Sequence, residues 1–161
     1  MNGKAHILAS MMLAVPVGIG TVVVTKDLRA LPLATLGCAA GILVSPDLDI
    51  DGRTDSETVV YDQMGPVFGT LWQVYWYPYA RAIPHRSVLS HAPLLGTVLR
   101  IGYLLLLPTL FAVFTPLRLG AVFDAVLAFW PVWIGLAVSD VVHWMMDLRL
   151  VAVILRALRS A

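Results

Sequence analysis

Long apolar runs separated by short polar breaks dominate the chain. Residues 7 to 25 are almost wholly apolar, interrupted only by Pro16, Gly18 and a few small residues. Crossing a bilayer core takes ~20 residues of helix. Pro and Gly are tolerated there when neighbouring helices satisfy the backbone. The pattern predicts a first transmembrane helix over 7–25, closed by the polar turn Lys26-Asp27-Leu28-Arg29. Residues 30–45 are apolar again, and Gly37, Ala39, Ala40 and Gly41 suit close helix packing. This run is short for a span, so it predicts a tilted helix or a thinned bilayer. Residues 92–115 form the clearest span, with Leu104 to Leu107 and Leu110 to Phe114 flanking Pro108. Pro116 to Gly120 turns the chain, and residues 121–139 predict a further span.

The polar stretches read differently. Asp51 to Gln63 is the most polar piece and reads as a loop. Gly65 to Ala80 carries Phe68, Trp72, Tyr75, Trp76, Tyr77 and Tyr79. Trp and Tyr concentrate at membrane interfaces, so this segment predicts a short interfacial helix. Aromatic packing against the bundle is the other reading. Arg100 lies within the first part of its span and is expected to snorkel to the near interface. Beyond residue 148, Arg149, Arg156 and Arg159 predict a helix lying on the membrane surface.

With spans at 7–25, 30–45, 92–115 and 121–139, the crossings put His6, Asp47, Asp49, His85, His91, Asp140, His143 and Asp147 on one face. That face also carries Lys4, Arg53, Arg81, Arg86, Arg149, Arg156 and Arg159, against Lys26, Arg29 and Arg118 opposite. The positive-inside rule then turns the polar face to the cytoplasm of a multi-pass inner-membrane protein.

Composition agrees. Hydrophobic residues make up 59% and charged residues 13% of the 161 positions, with mean hydropathy +0.83. Soluble domains sit nearer ~45–50% and ~25%. The length fits a single domain over 1–161. A net charge of +1, with no basic patch interleaved by aromatics, argues against nucleic acid as a partner. The lone cysteine, Cys38, excludes an internal disulfide and a cysteine-based zinc site.

The candidate chemistry is therefore built from His and Asp. Asp140, His143 and Asp147 are spaced i, i+3 and i+7, so they project from one face of one helix. Imidazole and carboxylate suit zinc, manganese or iron. Alternatively, one carboxylate orients the histidine from behind, or the triple is simply a helix end emerging into water. His85 follows Pro84 and reads as a loop residue. Ser90 is placed to cap a helix starting at His91, with Pro93 in its first turn. Asp47 and Asp49 follow Pro46 at the end of the second run, where carboxylates beside lipid need a cation. Asp47 to Gly52 also matches the opening of a calcium-binding loop, but the twelfth position is Thr58 rather than Glu. Arg86 is placed to pair with a carboxylate or to hold an anionic group such as a phosphate.

Ser45-Pro46-Asp47-Leu48-Asp49, Trp72, Tyr79 and Pro84-His85-Arg86-Ser87-Val88-Leu89-Ser90-His91, with Gly96-Thr97 and Arg100 to Tyr103, resemble a bacterial family described only as uncharacterised metal-binding proteins. A wider resemblance is to the LexA-induced, membrane-bound metal-dependent hydrolases. These pair a near-terminal His with a Pro-Asp-x-Asp turn, a His-Arg…His block and a later Asp-xx-His-xxx-Asp helix, which Asp140 to Asp147 matches. Those proteins are in turn distantly similar to helical zinc phospholipase C. The resemblance implies that His6, Asp47, Asp49, His85, His91, Asp140, His143 and Asp147 are metal ligands. Lys4-Ala5 departs from it, since Arg-Thr is expected before the near-terminal His.

These readings converge on an all-α integral membrane bundle of about four transmembrane helices, with an interfacial region and a metal site at one membrane face. The expected cofactor is one or two divalent ions, zinc first, with manganese or iron as alternatives. The expected activity is hydrolysis of a phosphoester or other ester at the membrane surface, on a lipid or membrane-anchored substrate. The alternative is a non-catalytic protein in which the ion is structural. A transporter ranks last, because carriers place polar groups near mid-membrane and the spans here hold only Arg100 and Asp124, both near their ends.

Overall fold

The structure is a computed structural model that describes residues 3–50, 52–85, 87–115 and 119–148. It is helical, with no strand among the described residues. Helix α1 runs Gly3–Thr25, α2 Ala30–Ala40, α3 Asp55–Met64, α4 Pro66–Ala82, α5 Val88–His91, α6 Leu95–Phe114, α7 Leu119–Ala128 and α8 Trp130–Asp147. A 3-10 turn, Pro46–Asp49, follows α2. The expected tail helix with Arg149, Arg156 and Arg159 lies outside the described residues, as does Arg86.

Helices α1 and α6 are each long and apolar enough to cross a membrane. The pair α7 and α8 meets the same test only jointly, across a bend of 61°. The expected unbroken span over 121–139 is thus broken near Phe129. Pro131 in the first turn of α8 explains the break, because its ring cannot continue the helix from α7. The Trp133 indole donates to the Val126 carbonyl at 2.8 Å and ties the two pieces together.

Helix α2 has 11 residues. At 1.5 Å per residue it covers only about half of a ~30 Å hydrocarbon core. It lies between α1 and α8, which form the central three-helix unit with it. Ala30, Ala34 and Cys38 are fully buried there. Two glycines set the spacing. A Cβ on Gly37 would lie 2.0 Å from the Val132 carbonyl oxygen, and one on Gly135 would lie 2.1 Å from that of Ala34. Gly37, one of the small residues read along the second run, thus lets the backbones of α2 and α8 touch.

The polar segment expected as a loop is partly helical. Thr54 accepts from the Glu57 amide at 3.2 Å, and the Glu57 carboxylate accepts from the Thr54 amide at 3.0 Å. This capping box nucleates α3, and Thr54-Asp55-Ser56-Glu57 is its sequence signature. Helix α4 turns its aromatic stripe inward. Trp76 and Tyr79 are buried with Val44, Leu48 and Leu136, and Trp72, Tyr75 and Tyr103 pack around them. Tyr75 and Tyr103 each donate a hydroxyl to the other's carbonyl, at 2.7 and 2.6 Å. The opposite face of α4 leaves Val67, Phe68, Leu71 and Val74 exposed. Apolar residues are likewise exposed along α1 (Leu8, Met11, Met12, Val15, Ile19 and Val23) and α6 (Val98, Leu107, Leu110 and Phe111).

Candidate metal centre

Three polar segments meet at one end of the α1–α2–α8 unit. The 3-10 turn carries Asp47 and Asp49, α5 ends on His91, and the last turns of α8 carry His143 and Asp147. His6, one turn into α1, completes the rim. Pro46 starts the turn, with Ser45 extended before it and Ile50 extended after it, so both carboxylates sit on one short 3-10 turn. Helix α5 is capped by Ser87, whose hydroxyl accepts from the Ser90 amide at 3.3 Å. The expected helix start at His91 is displaced: His91 closes the short helix, and Leu94 (φ 71°) breaks the chain before α6.

Asp47, His91, His143 and Asp147 each offer one ligand atom, all within 4.8 Å of one another. His143 Nε2 lies 3.5 Å from Asp47 Oδ2 and 3.5 Å from Asp147 Oδ2. His91 Nε2 lies 3.7 Å from Asp47 Oδ1 and 3.8 Å from Asp147 Oδ2. These separations are too long for hydrogen bonds, which cluster near ~2.9 Å. They suit atoms sharing an ion instead: four ligands at ~2.1 Å in a tetrahedron stand about 3.4 Å apart. The Nε2 atoms of His91 and His143 are buried and have no hydrogen-bond partner. Burying such nitrogens unpaired is costly unless something else accepts their lone pairs. Two carboxylates also match the charge of one divalent cation. The residues therefore fit a metal ion.

His6 joins from the side. Its Nε2 lies 3.3 Å from Asp147 Oδ1, and its ring stacks on His143 at 3.9 Å between centroids. Asp49 sits one layer back. It is 2% exposed, and its Oδ1 pairs with His85 Nδ1 at 2.7 Å. Its Oδ2 lies 3.4 Å from His91 Nδ1, which is also 2.9 Å from the Ser90 hydroxyl. Engaging Nδ1 in this way turns Nε2 toward the centre, the usual role of a carboxylate behind a metal-binding histidine. His85 is the outermost of the set, with its side chain 41% exposed.

Asp140 belongs to a different group. Its Oδ2 takes Arg100 Nη2 at 2.5 Å and the Thr97 hydroxyl. Arg100 was expected to snorkel outward. It is instead wholly buried and bonded to Asp140 and to the Ser90 carbonyl. An arginine in an apolar span demands a buried acceptor nearby, a signal the sequence carries without saying which acid answers it.

The charges reinforce one another in the metal-free protein. Burial by itself would raise the Asp47 carboxyl, but the His143 and His91 rings outweigh it and hold it far below the usual range. Asp49 is also held down: burial opposes this, and His91, Ser90 and His85 overcome it. Burial by itself would lower the His91 imidazole, yet Asp47 and Asp49 push it up to about 9. A narrow cleft runs alongside, lined by His6, Ser10, Ser45, Asp47, Asp55, Ser56 and His143. Ser45 belongs to the Ser45 to Asp49 motif, whereas Asp55, Ser10 and Ser56 were not singled out by sequence as site residues.

No curated protein and no solved structure matches the chain. The family described as Uncharacterized metal-binding protein (DUF2227) matches residues 1–155, and the chain belongs to that family.

Proposed function

We propose that the protein is a multi-pass membrane protein holding a catalytic divalent metal ion, zinc first, with manganese or iron as alternatives, and that it hydrolyses a phosphoester or other ester at the membrane surface. The observation that carries the metal reading is the pair of buried, unpartnered Nε2 atoms of His91 and His143 facing the carboxylates of Asp47 and Asp147. His6 is the fifth ligand in this reading, and Asp49 and His85 support His91 from behind. When bound, such an ion supplies Lewis acidity toward an ester's oxygen and toward water.

The hydrolase part rests on access and on resemblance. The Asp47 and Asp147 side chains keep 29% and 19% exposure, so one side of the group stays open to water and substrate. A ligand shell with an open side marks a catalytic site rather than a closed structural one. The similarity of the Asp140 to Asp147 helix to membrane-bound metal-dependent hydrolases points the same way. The substrate in this reading is a lipid or another membrane-anchored ester, with Arg86 as the candidate for its anionic group.

The membrane placement takes α1, α6, the bent α7–α8 pair and the short α2, in a locally thinned bilayer, as four passes, with the metal site toward the cytoplasm. Its support is the apolar length of α1 and α6 and their exposed apolar faces, which water would not tolerate at this extent. A purely structural ion is the second reading, favoured by the fact that the ligands come from segments distant in sequence, which an ion would staple together.

Metal analysis of detergent-purified protein, wild type beside His91→Ala and His143→Ala, tests the first claim. Stoichiometric metal in the wild type and its loss in both variants is expected; equal metal in all three ends the metal reading. A panel of phosphoester and carboxylester substrates, with chelator and with metal restored, tests the second. Chelator-sensitive hydrolysis supports the enzyme. Tight metal binding with no turnover leaves the structural ion.

A further inference from the structure

Behind the metal group lies a buried polar network that the proposed chemistry does not use. Arg100 has no exposed surface, Asp140 is 3% exposed, Thr97 3% and Ser90 1%. Arg100 spreads its guanidinium between two elements. Nη2 donates to Asp140 on α8 at 2.5 Å, and Nη1 donates to the Ser90 carbonyl on α5 at 2.9 Å. Each of these partners neighbours a candidate ligand: Ser90 precedes His91, and Asp140 lies one turn before His143. Gly96 makes the contact possible. A Cβ there would stand 2.2 Å from the Ser90 carbonyl oxygen and 3.3 Å from Arg100 Nη1. The glycine thus opens the start of α6 to the backbone of α5.

A buried ion pair has little to offer stability over an apolar pair of the same size, but its geometry is exacting. Arginine supplies two donors in a fixed fork, so it can hold two acceptors at a set separation. The geometry points to Arg100 as a positioning residue that clamps the α5 backbone to α8, with Gly96 as its seat and Asp140 as its anchor, so that His91 and His143 meet at one ion. Asp140 then acts through Arg100 rather than by ligating. This inference rests on the metal reading above.

The test measures Zn2+ affinity in purified Arg100→Met, Arg100→Lys, Asp140→Asn, Gly96→Ala and the double variant Arg100→Met/Asp140→Leu, with Co2+ absorption at saturating metal and thermal unfolding beside it. Residues supporting metal ligands from behind typically alter affinity by 10–100-fold. Weakening of about that size is expected for Arg100→Met, Asp140→Asn and Gly96→Ala. Arg100→Lys, which keeps the charge but not the fork, falls between these and the wild type. The double variant exchanges the pair for apolar side chains, so it keeps the fold, and it binds no more weakly than Arg100→Met. The Co2+ spectrum at saturation matches the wild type throughout, because no ligand has changed. Unaltered affinity in the folded variants overturns the proposal. So does a Co2+ spectrum changed by Asp140→Asn alone, which makes Asp140 a ligand. A wild type that binds neither Zn2+ nor Co2+ fails the metal reading itself, and the clamp falls with it.

Discussion

His143 Nε2 stands 3.5 Å from Asp47 Oδ2 with no hydrogen-bond partner, although the two residues are held by different elements far apart in the sequence. A contact of that length between a buried imidazole and a carboxylate has the spacing of two ligands on one ion. It makes Asp47 and Asp49, two residues apart on the same turn, unequal. Asp47→Asn is expected to abolish stoichiometric metal binding. Asp49→Asn is expected to weaken binding by about 10–100-fold while leaving the stoichiometry at saturation intact. Metal titration followed by elemental analysis distinguishes them.

Protons compete with the ion at this group. In the metal-free protein His91 is pushed up to about 9, with Asp47 and Asp49 overcoming its burial, so at pH 7 it carries a proton. A bound ion needs the unprotonated ring, so metal uptake at pH 7 releases that proton. Apparent affinity should therefore rise by about tenfold per pH unit from neutrality toward pH 9, and then level off. Calorimetry in two buffers of different ionisation enthalpy, repeated across pH, reads the proton release directly.

Stripping the ion should loosen the whole end of the bundle. The candidate ligands belong to α1, the 3-10 turn, α5 and α8, so an ion bound only by the folded state stabilises all of them together. At free metal a hundredfold above its dissociation constant the gain is about 2.7 kcal/mol. Thermal unfolding in detergent should shift upward with metal concentration in the wild type and stay flat in His143→Ala.

The α2–α8 seam is the place where the fold tolerates least. A Cβ at Gly135 would meet the Ala34 carbonyl oxygen at 2.1 Å, backbone against backbone, with no flexible side chain to give way. Gly135→Ala is expected to cost about 1–3 kcal/mol, the usual range for overpacking. Gly20→Ala, where nothing lies within 4 Å, serves as the matched control with little change. Denaturation in detergent, followed by circular dichroism, measures both.

Much of the architecture was legible because it is local. Apolar runs of bilayer length give α1 and α6 directly, and small residues mark α2 as a close-packing helix. Thr54 to Glu57 carried the α3 cap in plain view, although the polarity of the segment suggested a loop. The break before Pro131 was also written in the chain, since proline cannot extend the preceding helix. The structure gathers His6, Asp47, Asp49, His85, His91, His143 and Asp147 at one end of the helices, while the four crossings from which the sequence expected this are not all long enough to span a membrane.

By itself, then, the sequence determined that the chain is helical, where the long apolar helices α1 and α6 lie and which residue types are available for a metal. These follow from periodicity, hydropathy and composition, all properties of the chain alone. Only the tertiary structure separated the two acids of α8. Asp140 and Asp147 share one helix face, so spacing treats them alike. Asp147 reaches the His91–His143 group, whereas Asp140 meets Arg100 from α6. Which neighbour each carboxylate meets depends on where α6 packs against α8, and a buried guanidinium claims the acid it can reach.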